Sequence, residues 1–116
     1  MLHILMDLVF KALADRNRRK MLDRLYREPG LTLSELIRDL DMTRQSASRH
    51  VSVLEAAGLI VAYLSGREKH HYLNPVPVVE ITDRWLNKFT QDQAKAMLAL
   101  KNALEGNKQW HHDCTA

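Results

Sequence analysis

The sequence predicts a mainly α fold with one small β-hairpin, in the order α-α-α-α-β-β-α, folded around one core. Three observations carry this. Two short amphipathic segments, "TLSELIRDL" and "TRQSASRHVSVLEAA", are separated by little more than "DM". Two β-prone runs around Ser65-Gly66-Arg67-Glu68 follow at once, as a hairpin requires. Apolar residues recur at three- and four-residue steps near both ends of the chain.

The elements follow in order. Leu2, Leu5, Met6, Val9, Phe10 and Leu13 mark one face of a first helix. Asp15 is a suitable N-cap for a second, "RNRRKMLDRLYRE", with Met21, Leu22, Leu25 and Tyr26 inward and the arginines outward. Pro29-Gly30 ends it. Thr32 and Glu35 have capping-box spacing, and Leu33, Leu36, Ile37 and Leu40 supply the apolar stripe of a third helix. Thr43 caps a fourth after the three-residue "DMT", and Gly58 stops it. Two helices joined this tightly form a helix-turn-helix. A hairpin placed directly behind the second of them is a wing. "NPVP" then breaks the chain, and one long amphipathic helix is expected from residue 78 to about 105, with Ile81, Trp85, Phe89, Ala96, Leu100 and Leu104 on one stripe and Gly106 at its end.

With 116 residues, 46% hydrophobic and 27% charged, the chain suits one globular domain rather than two or a disordered segment. The expected domain covers residues 1–106 and a loose tail covers 107–116. Net charge is +3, a mild basic bias, yet "RNRRK" and "TRQSASRH" concentrate it in the first half. Cys114 is the only cysteine, so no disulfide can form within a chain, and a reducing cytoplasm is the expected location. The N-terminal apolar stretch is interrupted by Asp7 and Lys11 and is too short to span a bilayer, so no membrane partner is expected.

The stretches "FKALADRNRRKMLDRL", "TLSELIRDLDMTRQSASRHVSVLEAAGLI" and "GREKHHYLNP" resemble the ArsR/SmtB family of winged-helix repressors in order and spacing. The resemblance implies a homodimer that binds an operator in double-stranded DNA, with the first and last helices forming the dimer interface. Leu5, Val9, Ile81, Trp85, Phe89 and Leu100 are the residues expected there. Where that family often has a proline early in the second and recognition helices, this chain has Arg16 and Gln45. Neither change threatens a helix, and each adds a side chain able to meet DNA.

The fourth helix carries the expected DNA contacts. Ala47, Val51 and Leu54 face inward, which leaves Arg44, Gln45, Ser46, Ser48 and Arg49 on the remaining arc. Arginine reads guanine and glutamine reads adenine by bidentate hydrogen bonds in the major groove. Gln45, Ser46, Ser48 and Arg49 are therefore expected on base edges or nearby phosphates, and Thr43 and Arg44 on the backbone at the helix entrance. His50 can donate to a phosphate or pack beside the hairpin. Arg67 at the wing tip, with Lys69 and His70 behind it, is expected at the minor groove or the phosphates. For Arg16, Arg18, Arg19 and Lys20, a solvated charge run competes with backbone contact.

No metal site and no cofactor is assigned. In metal-sensing members of the resembled family a thiolate site opens the first helix of the motif; here Thr32 and Ser34 occupy those places and neither is a soft ligand. A second family site uses histidines on the last helix, and none lies between His71 and His111. His111, His112, Asp113 and Cys114 are ligand types, but their spacing fits no closed tetrahedral site, and a solvated tail is the preferred reading. Cys114 beside His112 is also the only candidate pair for an enzyme reading, and it sits on a tail without surrounding scaffold, so catalysis is not expected. The sequence thus reads as a transcriptional regulator, most simply a repressor, with an unknown effector. A metal-responsive repressor using the His/Cys tail, or a small-molecule-responsive one with a cavity at the dimer interface, are the alternatives.

Overall fold

The computed structural model describes residues 2–106, with side chains from Ile4 onward; the expectations placed on His111, His112 and Cys114 lie outside them. The elements are α1 (Leu2–Leu13), α2 (Arg16–Arg27), α3 (Leu33–Leu36), α4 (Arg44–Ala56), β1 (Ile60–Ser65), β2 (Glu68–Leu73), α5 (Val76–Arg84), a 3-10 turn (Leu86–Lys88) and α6 (Gln91–Glu105). The mainly helical fold with its antiparallel hairpin is the one the sequence predicts. The chain divides into two compact units at residue 81.

The first unit holds the core. Its largest fully buried side chains are Met21 and Leu25 of α2, Leu36 of α3, Leu54 of α4, and Leu59 and Ile60 at the hairpin base. α1 contributes Val9 and Ala12, and α5 contributes Ile81. Helix starts are set as the sequence predicts. The Asp15 carboxylate accepts from the Arg18 amide at 3.1 Å, Thr32 and Glu35 cap each other reciprocally, and Thr43 Oγ1 accepts from the Ser46 amide at 3.0 Å.

The Asp15 and Glu35 carboxyls are both held below their ordinary values of 3.8 and 4.5, Asp15 chiefly by the Arg18 amide and Glu35 chiefly by the Thr32 amide. A depressed folded-state value means that the unfolded chain binds more protons in acid. The stability these caps supply is therefore full above the ordinary carboxylate range and is lost as pH falls through the folded-state values. Urea midpoints between pH 6 and pH 3 should fall, and Asp15→Asn with Glu35→Gln should flatten that decline.

Several sequence expectations are corrected. Tyr26 is exposed, not inward, because the buried stripe of α2 is centred on Met21, Leu22 and Leu25 and its flank passes through Arg24. Arg24 is buried at 9% exposure, not outward, and donates to Asp39 at 3.2 Å and Glu28 at 3.5 Å. Leu5 and Phe10 of α1 are exposed, and the inward side is instead Val9 and Ala12 with Met6, Leu8 and Leu13 packed beside them. α3 is only one turn long, and residues 37–43 form the connection to α4 in place of the three-residue "DMT". Asp39 and Asp41 are weak helix formers, and Asp39 is drawn away to Arg24.

The expected long last helix is also broken. It starts earlier, at Val76, where the Asn74 side chain accepts from the Val76 amide at 3.2 Å and Pro77 sits harmlessly in the first turn. It stops at Arg84. Thr90 then starts α6 with a capping box, its side chain accepting from the Gln93 amide while Gln93 returns to the Thr90 amide. T-x-x-Q is the signal that the periodicity of the apolar residues conceals. Gly106, at φ +64°, ends α6 as expected.

Candidate nucleic-acid interface

α4 is two-faced by construction. Ala47 and Leu54 have no exposed surface and Val51 almost none, so one stripe is spent on the core. On the opposite side Gln45, Ser48 and Arg49 are exposed, and Ser52 continues them at the next helical step. Positions 45, 48, 49 and 52 are thus one continuous polar face. Sequence reasoning missed Ser52, although the i, i+3, i+4, i+7 spacing was available to find it. Ser52 Oγ donates to the Ser48 carbonyl at 3.1 Å, and Glu55 closes the face with a charge unsuited to phosphate.

The entrance to α4 is shaped by two contacts. Thr43 is exposed and caps the helix, so its hydroxyl is engaged by the Ser46 amide. Arg44 Nη1 donates to Ser34 Oγ at 2.6 Å, which aims the guanidinium across the front of α3. Ser46 is half-buried, as is His50. The two positions resembling a thiolate site therefore serve other purposes: Thr32 caps α3 and Ser34 holds Arg44.

The hairpin is held in a fixed register, Ile60 opposite Leu73 through Ser65 opposite Glu68, with Gly66 and Arg67 as its turn. Gly66 takes φ +66° with open space around it, the conformation a two-residue turn needs at its first position. Arg67 and Lys69 are exposed at the tip. The second strand of the hairpin is tied down along its middle by two histidines, a role not read from the sequence. The His71 imidazole is buried and donates through Nδ1 to the Leu31 carbonyl at 2.9 Å, and His70 Nδ1 donates to the Gly30 carbonyl at 2.9 Å. The His71 amide also donates to the Leu31 carbonyl, so the link between α2 and α3 anchors the wing. His70 thus has its Nδ1 engaged within the protein.

Between α3, α4 and the hairpin lies an open groove of about 540 Å³. Arg44, Arg67 and Lys69 stand on its walls, offset by Glu55 and Glu68. The fold thus brings the entrance of α4 and the wing tip to one surface.

The residues expected at a subunit interface divide. Val9 and Ile81 are packed in this chain's own core, at 3% and 5% exposure, because α1 and α5 use them to cover it. Leu5 is exposed on α1. In the second unit Trp85, Phe89 and Leu100 are exposed too. Trp85 and Phe89 meet edge to face at 5.0 Å between ring centres, with Lys88 Nζ 5.0 Å from the Trp85 ring.

A helix-turn-helix domain family matches residues 13–61, the span from the end of α1 into β1. The chain is 41% identical over 86 residues to an uncharacterized HTH-type transcriptional regulator, YuzN, of Bacillus subtilis, covering 69% of this chain and 94% of that protein. It is 30% identical to the transcriptional repressor SdpR of the same species, covering 72% of this chain and 91% of SdpR. Among solved structures it is similar to that of an ArsR family transcriptional regulator, RHA00566, with a TM-score of 0.61 and 30% identity over 90% of this chain and 94% of that one. A wing behind a helix-turn-helix, and relatives covered nearly end to end, lead to one conclusion: the chain belongs to the ArsR family of winged helix-turn-helix regulators, and is a DNA-binding transcriptional regulator rather than an enzyme.

Proposed function

We propose that the chain is a repressor that binds a pseudo-palindromic operator as a homodimer, with α4 in the major groove and the hairpin on the minor groove or backbone. The observation that carries this is the α4 face itself. Gln45, Ser48 and Arg49 are exposed on it, opposite a stripe buried at Ala47, Val51 and Leu54. Such a face has hydrogen-bonding reach and no apolar anchor, which suits base edges better than a protein partner.

In this reading Gln45, Ser46, Ser48 and Arg49 meet base edges or adjoining phosphates. Thr43 and Arg44 contact the backbone at the helix entrance, and His50 donates to a phosphate. Arg67 and Lys69 engage the minor groove or the phosphates from the wing. Residues 1–106 form the DNA-binding and dimerisation domain, and the cytoplasm is the place of action. SdpR, named as a repressor, supports the sign of regulation.

The subunit contact is drawn from Leu5, Trp85, Phe89 and Leu100, whose apolar surface is exposed in the single chain. Among the described residues no helix is long and apolar enough to cross a membrane. The release signal is left unassigned.

Selection from a pool of random duplexes tests the proposal. The recovered sequences should contain two inverted half-sites with centres about 34 Å, one DNA turn, apart. Recovery of a single unrepeated site would remove the dimer, and no enrichment would remove the operator.

A further inference from the structure

Arg18 of α2 and His50 of α4 stand 32 residues apart in sequence and meet side chain to side chain. The Arg18 guanidinium is a fork with its tines already committed. Nε donates to the Ala12 carbonyl at 2.7 Å and Nη2 to the Lys11 carbonyl at 2.9 Å, both in the last turn of α1. Nη1 then lies 3.3 Å from His50 Nδ1 and 3.9 Å from the Asp15 carboxylate. The Arg18 side chain is only 14% exposed, so it does not belong to a solvated charge run.

The chemistry of the pair fixes the proton on the histidine. A guanidinium only donates, so Nδ1 must accept, and a neutral imidazole that accepts at Nδ1 carries its hydrogen on Nε2. Protonation at both nitrogens would set an N–H against the guanidinium. Arg18 and Asp15 are charged groups beside His50, and of the two Arg18 is the one in hydrogen-bond reach. His50 is half-buried and directly follows Arg49, at the margin of the exposed α4 face.

We propose that Arg18 is a positioning residue for DNA binding: anchored on the end of α1, it holds His50 in the tautomer whose Nε2–H donates to an operator phosphate. The role rests on the DNA reading given above. It also makes the last turn of α1, the Arg18 fork and the recognition helix one hydrogen-bonded chain. A displacement of the end of α1 is then felt at the DNA face as a loss of the correct donor.

The test combines a tautomer measurement on the free protein with a double-mutant cycle. Nitrogen-15 imidazole spectra of the wild-type chain at pH 7.5 should show His50 with Nδ1 bare and Nε2 protonated. Arg18→Gln should give a mixture of tautomers. Duplex binding is read by anisotropy on a sequence recovered by the wild-type chain from a random pool. Arg18→Gln should weaken binding about fourfold, the cost when roughly half of the His50 side chains in each subunit of a dimer hold the wrong tautomer.

In a His50→Gln chain, an amide donor with no tautomers takes over the Nε2 position, and the same Arg18 change should then cost less than about twofold. An equal loss in both backgrounds would show a merely structural arginine and overturn the proposal. So would a wild-type His50 protonated at Nδ1, a result that needs no variant to fold. If the wild-type chain recovers no duplex, the DNA reading falls and takes this role with it. The spectrum of the free protein separates that failure from a failure of the Arg18–His50 contact.

Discussion

Arg49→Ala should lower operator affinity by about two orders of magnitude or more, because a dimer loses one bidentate arginine–guanine contact in each half-site. Arg49 is exposed on α4 and one helical turn beyond Gln45, so its removal leaves the buried stripe of Ala47, Val51 and Leu54 intact. The melting temperature of the variant should stay within a few degrees of wild type. The pattern of loss matters as much as its size. A base-reading arginine loses affinity for the cognate sequence and relaxes the preference at one position of each half-site. A phosphate-binding arginine weakens all duplexes alike. Anisotropy on a panel of single-base variants of the operator separates the two, and a loss below about twofold on every duplex would remove Arg49 from the interface.

Leu54→Ala should do the reverse, costing stability rather than contact. Leu54 is fully buried where α4 crosses the core, in one cluster with Met21, Leu25 and Leu36. Truncation removes apolar surface and leaves a cavity that rigid helices fill only in part. The expected cost is about 2–5 kcal/mol, a large share of the stability of a small domain. For a domain this size that corresponds to a fall in Tm of roughly 10 °C or more. Duplex affinity measured well below the new Tm should change little, because the exposed face of α4 is untouched. A fall in stability of less than about 1 kcal/mol would mean that Leu54 is not the packing centre described here. The two variants together separate the stripe that holds α4 from the face that reads DNA.

What was legible in the sequence was local. Asp15, Thr32, Glu35 and Thr43 announced their helices because capping is decided within three residues, and all of them cap as expected. Gly66-Arg67 announced the hairpin turn for the same reason. The buried stripe of α4 was legible from periodicity. The long C-terminal helix was misread because apolar spacing was followed across "FTQDQ", where the Thr90–Gln93 capping box interrupts it.

The misses within the site share another cause. Arg24 was assigned to solvent with its neighbours, yet the partner that draws it inward, Asp39, lies in the connection after α3. Arg18 reaches His50 across 32 residues, and His70 and His71 find the carbonyls of Gly30 and Leu31 across 40. No spacing rule encodes such contacts; they exist only once α2, α4 and the hairpin have packed. Ser34 belongs with them. Its hydroxyl is no soft-metal ligand, and the structure gives it Arg44 to hold.

The central claim is that this face binds duplex DNA through its cations as well as its base-reading side chains. Titration of the wild-type chain with a fluorescent duplex over a range of salt concentrations tests it most directly. If Arg44, Arg67 and Lys69 of each subunit of a dimer release one counterion apiece, log K should fall linearly with log salt at a slope near about −5. Binding that is absent, or that holds its strength as salt rises, would contradict the account.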